Sequence, residues 1–354
     1  MPGHIFAIET SCDETSAAVL SGNTVLSNVI SSQLFHSEYG GIVPELASRA
    51  HIKIIDRIVN EAIEKAGVSK EQIGLVAATQ GPGLIGSLLV GYNFAKSFAI
   101  GLGAPFIGIN HIESHLYSCF IGKESAPAPF IALVVSGGHT ILFLVEDHFK
   151  YRLLGQTQDD AAGEAFDKVA KMMGLEYPGG PLIDSLAKTG DENFHEFPVS
   201  HIKDNKYDFS FSGIKTSVLY YLKKNYPGPN ANIPLNDLSA SFQKAVVRNL
   251  VENSLSAAQD FGVHNIAVSG GVSANSKLRS EFEKLGAKGI KVFFPEPKYS
   301  TDNAAMIGYT AYLKSKFSPG SIENELTQNK LTEKELTDEP AFARFDFEQI
   351  NSSY

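Results

Sequence analysis

Apolar positions along the chain switch between a period of two and a period near 3.6, and these switches predict the elements. Residues 4–20, HIFAIETSCDETSAAVL, read as a strand, a small-residue turn and a second strand. Residues 130–146, FIALVVSGGHTILFLVE, repeat that design around a Ser-Gly-Gly-His-Thr turn. A third apolar strand, Asn265–Val268, runs into Ser269–Asn275 and opens a helix. Val43–Ala66 carries apolar residues at helical spacing, with Pro44 near its start. Leu75–Thr79 reads as a buried strand, and Gln80–Gly86 as a turn into a helix that runs to about Ile100. Pro105–Ile109 is a further strand that delivers His111 at its carboxyl end. Asp159–Lys168 is expected to begin a helix whose leading acids suit its dipole, and Leu238–Phe261 to form a long amphipathic helix. Pro227–Pro234 reads as a surface loop, and the polar, mixed-charge stretch past Lys316 as a peripheral helix and tail. Strands alternating with helices imply an α/β architecture with ligands at strand ends.

Composition narrows the classes. A chain of 354 residues, 43% hydrophobic and 19% charged, is globular and long enough for two domains. No apolar run is read as a membrane helix, and the N-terminus enters a strand without a signal-peptide pattern, so a cytoplasmic location is expected. Two cysteines, Cys12 and Cys119, make no disulfide framework and fit a reducing compartment. The net charge of −9 argues against a broad basic face for nucleic acid. A nucleic-acid substrate would need a local basic patch or a partner protein.

The candidate chemistry centres on His111-Ile112-Glu113-Ser114-His115. Two histidines four apart on a helix have Cβ atoms roughly 5–6 Å apart, close enough to share a metal ion. Two ordinary polar residues at a helix end would give the same pattern. Glu113 is rotated roughly 200° from His111 on a helix, unlike the Glu of His-Glu-x-x-His. Asp302, in Thr301-Asp302-Asn303, is either a third ligand or, like Thr301, a helix cap. Val-Ser-Gly-Gly at 135–138 and again at 268–271 offers backbone amides to phosphate oxygens, with two tight turns as the plainer alternative. Asp167 reads as a solvated helix acid or a site residue. Gly180 could admit a ligand close to the backbone, and Asp184 follows on the next helical turn.

Seven stretches together resemble a family. They are Ile-Glu-Thr-Ser-Cys-Asp-Glu-Thr at 8–15, Tyr-Gly-Gly-Ile-Val-Pro-Glu-Leu-Ala-Ser-Arg at 39–49, Gln-Gly-Pro-Gly-Leu at 80–84, His-Ile-Glu-Ser-His, Val-Ser-Gly-Gly-His-Thr, Val-Ser-Gly-Gly-Val-Ser-Ala-Asn and Thr-Asp-Asn-Ala-Ala-Met-Ile. In register over about residues 4–315, they resemble the bacterial TsaD family of tRNA threonylcarbamoyladenosine transferases, once labelled O-sialoglycoprotein endopeptidases. The resemblance implies an actin-like fold of the sugar kinase and heat-shock ATPase type, two duplicated βα domains around a central cleft. It sets domain I at residues 1–110 plus 303–330, domain II at 111–302, and a peripheral tail at 331–354. It implies transfer of the threonylcarbamoyl group of threonylcarbamoyl-AMP to N6 of the adenosine beside the anticodon, in tRNAs reading ANN codons. His111, His115 and Asp302 would hold one divalent metal ion, iron or zinc. Val134, Val135, Ser136, Gly137, Gly138, Asp167, Gly180, Asp184 and Asn275 would line the acyl-adenylate site. The implied partners are tRNA, a smaller paralogue of the same fold (TsaB type), an ATPase (TsaE type) and a separate synthase of the adenylate, with no membrane.

Two departures qualify the resemblance. Kinases of this fold usually carry Asp in both hairpin turns, where this chain has Glu9 and Ser136, which disfavours ordinary Mg-ATP hydrolysis. Archaeal and eukaryotic relatives carry a metal-ligating Tyr where this chain has Val134. Glu113, Asp13 and His139 are candidates for a general base, none of them singled out. A metalloprotease and a non-catalytic ATP-binding scaffold are the rival readings.

Overall fold

A computed structural model of the chain describes residues 3–318, except 124, 201, 203 and 229–231, together with 341–343. The chain divides into two compact units, Met1–Ala126 with Thr301–Tyr354, and Pro127–Ser300. In the first unit β1 (His4–Glu9), β2 (Glu14–Ser21), β3 (Thr24–Ser32), β4 (Ile73–Gly81) and β5 (Phe106–Asn110) form a sheet in the order β3-β2-β1-β4-β5. In the second, β6 (Phe130–Val135), β7 (Thr140–Asp147), β8 (Lys150–Gln156), β9 (Asn265–Ser269) and β10 (Lys291–Phe293) take the order β10-β9-β6-β7-β8. Read from the hairpin side, the second sheet repeats the first. In both, the first strand pairs antiparallel with the next strand of the hairpin and parallel with a later one. The repeated strand–turn–strand design of the sequence is thus the centre of each sheet, as the actin-like reading expects.

Central strands buried on both faces need continuous apolar runs, and β6 is buried at every position. In β1 alternate residues serve different layers. Phe6 and Ile8 join the core beneath α1 (Pro44–Ala66) and α2 (Ile85–Leu102). Ala7 faces the other way, toward α9 (Ala304–Phe317), where a Cβ placed at Gly308 would lie 3.2 Å from that of Ala7. α1 starts with Pro44 at its first position and ends at Gly67, which takes the left-handed conformation (φ 65°). α2 is, by length and a mean hydropathy of 1.2, apolar enough to cross a membrane, contrary to the sequence-based expectation. Its Leu88, Tyr92, Ala95 and Ala99 are buried in the unit, and it packs on β4 and α1.

The second unit adds α4 (Ala162–Met172), α5 (Gly179–Ala187), α6 (Ser212–Asn225), α7 (Leu235–Asp260) and α8 (Ser276–Glu283) after α3 (His111–Ser118) of the first. Its core joins Leu133, Val135, Phe166, Val169, Phe242, Val246 and Val268. Phe242 is fully buried against Phe166, and its truncation to Ala would cost about 3–5 kcal/mol.

Three expectations shift. The expected boundaries at 110/111 and 302/303 put α3 and Asp302 in the second domain, whereas packing of α3 on α9 keeps them in the first unit. The helix expected from Asp159 starts at Ala162, because Asp159 and Asp160 are engaged elsewhere. Asp159 accepts hydrogen bonds from the Phe211 and Ser212 amides at 2.8 and 3.2 Å, and Asp160 pairs with Lys168 and Lys215. Of the tail expected at 331–354, residues 341–343 are described. The Phe342 amide donates to the Gln80 carbonyl at 3.0 Å, and the Gly83 amide to the Ala343 carbonyl at 3.3 Å. The loop expected at Pro227–Pro234 includes three residues outside the described set.

Candidate metal centre and glycine turns

β5 runs directly into α3, and Asn110 at the junction caps the helix. Its Oδ1 accepts from the Ile112 and Glu113 amides at 2.9 and 3.1 Å. His111 is therefore the first helical residue and His115 lies one turn on, with ring centroids 4.7 Å apart in an edge arrangement. All eight residues of α3 are buried, which removes the surface-helix alternative for the histidine pair.

Asp302 arrives from the opposite end of the chain. The cap of α9 is Asn303, whose Oδ1 accepts from the Met306 amide at 3.2 Å, and not Thr301 or Asp302. The amide of Ala304 donates to Ser16 Oγ at 2.9 Å and that of Ala305 to Asn28 Oδ1 at 3.2 Å, so β2 and β3 fix where α9 begins. Asp302 is thereby placed beside α3. Its Oδ1 lies 3.0 Å from His115 Nε2 and 3.6 Å from His111 Nε2. One ligand atom from each of the three residues lies within 4.8 Å of the others. Two imidazole nitrogens and one carboxylate oxygen this close together are a donor set that suits zinc or iron. The residues fit a metal.

Behind His111 stands Glu9, the last residue of β1, with no exposed surface. It accepts hydrogen bonds from the Ser11 amide and the Thr79 hydroxyl, and its Oε2 lies 3.2 Å from His111 Nδ1. Ser11 Oγ is also 3.2 Å from Nδ1. Burial alone would depress the His111 pKa, but the Asp302 and Glu9 carboxylates outweigh it and lift it to about 9. Burial likewise works against ionised Glu9, yet the neighbouring His111 holds its carboxyl below the usual range. The Glu14 carboxyl goes the other way, pushed well up by burial and then by Asp302 and Asp13. Glu9, Ser11 and Thr79 are not legible as metal-site residues in the sequence.

The remaining candidates lie in the second unit. The side chains of Val134 and Val135 are buried in the sheet, so they can offer a ligand only backbone. Ser136 and His139 close the turn, the Ser136 amide donating to the His139 carbonyl at 2.8 Å. Among the described residues nothing lies within 4 Å of a Cβ built at Gly137 or Gly138, so that backbone is open to approach. Gly270 in the second Val-Ser-Gly-Gly differs. A Cβ there would lie 2.4 Å from the Val135 carbonyl oxygen, so close packing on β6 requires this glycine. Asp167 accepts from the Gly179 and Gly180 amides at 2.8 and 3.4 Å, which joins it to the start of α5, and burial pushes its carboxyl up. Asp184 accepts from the Ser276 hydroxyl at 2.8 Å. Asn275 caps α8 through the Leu278 amide at 2.9 Å and donates to Gln243 at 2.7 Å. Asp167 meets Gly180, and Asp184 meets the residue after Asn275.

A family model described as tRNA N6-adenosine threonylcarbamoyltransferase matches residues 24–309. A protein of that name from Chloroherpeton thalassium is 52% identical over 325 residues, covering 88% of this chain and 92% of the relative. Another of that name from Thermosipho africanus is 49% identical over 324 residues, covering 90% of this chain and 97% of the relative. Among solved structures, HypF from T. kodakarensis superposes with a TM-score of 0.61 at 15% identity, over 92% of this chain and 49% of that one. The activator of the 2-hydroxyisocaproyl-CoA dehydratase from Clostridium difficile, with bound ADPNP, gives a TM-score of 0.51 at 14% identity, over 90% of this chain and 98% of that one. At these identities the structural likeness speaks for the fold alone.

Proposed function

Because the chain belongs to the tRNA N6-adenosine threonylcarbamoyltransferase family, we propose that it transfers the threonylcarbamoyl group of threonylcarbamoyl-AMP to N6 of the adenosine adjacent to the anticodon, in tRNAs reading ANN codons. The observation that carries the reading is the convergence of His111 Nε2, His115 Nε2 and Asp302 Oδ1. In the reaction N6 bonds to the carbamoyl carbon, the bond from that carbon to the phosphate oxygen breaks, AMP leaves with the electron pair, and the proton that N6 loses passes to water. The adenine amine is a weak nucleophile, because its lone pair is delocalised into the ring. The mixed anhydride is already activated, so the protein's task is chiefly to position both partners and to stabilise charge.

His111, His115 and Asp302 would hold the metal, iron or zinc. When bound, it supplies Lewis-acid stabilisation of the oxygen charge that develops as the donor is attacked. The open amides at Gly137 and Gly138 would hold the donor's phosphate, with Val134, Val135 and Ser136 supplying the strand end that presents them. Asp167, Gly180, Asp184 and Asn275 would meet the hydroxyl and amine groups of the nucleoside and threonine parts. No side chain takes the role of general base in this reading.

With a net charge of −9, the chain would hold tRNA together with partners rather than alone. We assign it a smaller paralogue of its own fold, an ATPase, an upstream synthase and a cytoplasmic location. Exposed Ile52 on α1 and Ile85 and Leu89 on α2 supply apolar surface for a protein partner. Reconstitution tests the reading. Supplied with synthetic threonylcarbamoyl-AMP and unmodified tRNA, the purified chain should modify tRNA efficiently only with its partners added. No modification by the complete set would refute transfer, and full-rate modification by the chain alone would refute partner dependence.

A further inference from the structure

We propose that Glu9 is the positioning residue of the metal centre, holding His111 in the one tautomer and orientation that turn Nε2 toward Asp302. The inference rests on the metal reading of His111, His115 and Asp302 above and extends it one layer outward.

Three observations carry it. Glu9 is fully buried at the end of β1, so its carboxylate can be satisfied only by protein groups. Two of them are donors fixed by the fold, the Ser11 amide and the Thr79 hydroxyl of neighbouring β4. The third partner is His111 Nδ1, 3.2 Å from Oε2. An ionised carboxylate only accepts hydrogen bonds, so Nδ1 must carry the proton. In the neutral ring that would ligate a metal, the lone pair is then on Nε2, the atom 3.6 Å from Asp302 Oδ1. Ser11 Oγ, also 3.2 Å from Nδ1, can share the same proton but cannot impose this tautomer, because a hydroxyl both donates and accepts.

His115 provides the internal contrast. Its Nδ1 is buried and has no hydrogen-bond partner among the described residues. His111 is therefore held from behind, at Nδ1, by a buried carboxylate, whereas His115 is held at Nε2 by Asp302 and by ring contact with His111. With Ser11, Thr79 and His111 all directed at it, the Glu9 carboxylate serves the histidine behind the metal.

The test is the affinity of the purified full-length chain for Co(II), measured by competition with a chelator, together with the visible absorption of the Co(II) form. Glu9→Gln keeps the volume but loses the charge and one acceptor. It should weaken Co(II) binding about 10–100-fold and shift the absorption bands. Thr79→Val removes one support of the carboxylate and should weaken binding by a smaller factor, which provides a reading should Glu9→Gln fail to fold. A purely structural role for Glu9 would leave the affinity and bands of the folded variants at wild-type values, and that result overturns the proposal. His111→Ala separates the two layers. If it binds Co(II) as wild type does, the metal reading itself fails; if it loses binding while the folded Glu9 and Thr79 variants keep theirs, only the positioning role falls.

Discussion

The carboxylate of Glu113 lies 2.9 Å from the ammonium group of Lys314. The pair joins α3, which carries both histidines, to α9, which begins just after Asp302. Both side chains are largely buried, at 3% and 16% exposure. A metalloprotease of the His-Glu-x-x-His kind needs its carboxylate at the metal to activate water. Glu113 is instead committed to a lysine, as its angle on the helix suggested. Removing one partner of a buried pair strands the other charge, so Glu113→Gln or Lys314→Met should each destabilise the fold by about 3–5 kcal/mol. The double variant should lose less than the sum. Urea denaturation of the three proteins measures this.

The three ligands should act as a unit. His111→Ala, His115→Ala and Asp302→Ala should each reduce bound iron or zinc from about one per chain to a small fraction of that, since two protein ligands rarely hold such an ion. Asp302→Ala should stay folded, because Asn303, Ser16 and Asn28 secure the start of α9 without it. Elemental analysis of the purified variants checks metal content, and circular dichroism checks the fold.

Asp160 gives a pH dependence of defined sign. Burial raises its carboxyl, but hydrogen bonds from Lys168 and Lys215 outweigh burial and hold it below the ordinary 3.8. A depressed folded value means that the contribution is fully present above the unfolded value near 3.8 and disappears as pH falls through the folded one. Asp160→Asn should therefore cost about 1–3 kcal/mol at neutral pH. Most of this comes through Lys215, which is 20% exposed against 41% for Lys168. The gap to wild type should stay flat from pH 8 to about 5 and close only below about 4. Denaturation midpoints across that range measure it.

Gly81 ties the C-terminal segment to the sheet. It has φ of +156°, and a Cβ there would lie 2.1 Å from the Phe342 carbonyl oxygen. Gly81→Ala should displace residues 341–343 at a cost of about 1–3 kcal/mol. The Phe342 amide, which donates to Gln80, should then exchange its hydrogen roughly tenfold faster or more. Hydrogen-exchange mass spectrometry would detect the change.

Hairpin centres were legible in the sequence because β1 and β6 are buried on both faces and read as unbroken apolar runs. The histidine pair was legible because i and i+4 on a helix must share a face. Other features depended on partners remote in sequence. Asp159 and Asp160 look like the first turn of a helix, and only the Phe211 amide and Lys215 reveal why the helix starts later. Thr301 and Asp302 are as good caps as Asn303 by residue type, and the choice is made by Ser16 and Asn28. Glu9 lies 102 positions from the histidine it faces, so no local spacing announces it. The family motifs located Asp302 where geometry from sequence could not.

The most direct test is mass spectrometry of tRNA nucleosides from cells depleted of this protein, then supplied with wild type or with the His111→Ala/His115→Ala double variant. Loss of threonylcarbamoyladenosine on depletion, restored by wild type and not by the double variant, is the predicted result. Unchanged modification on depletion would contradict the transferase assignment, and full rescue by the double variant would contradict the role of the metal centre.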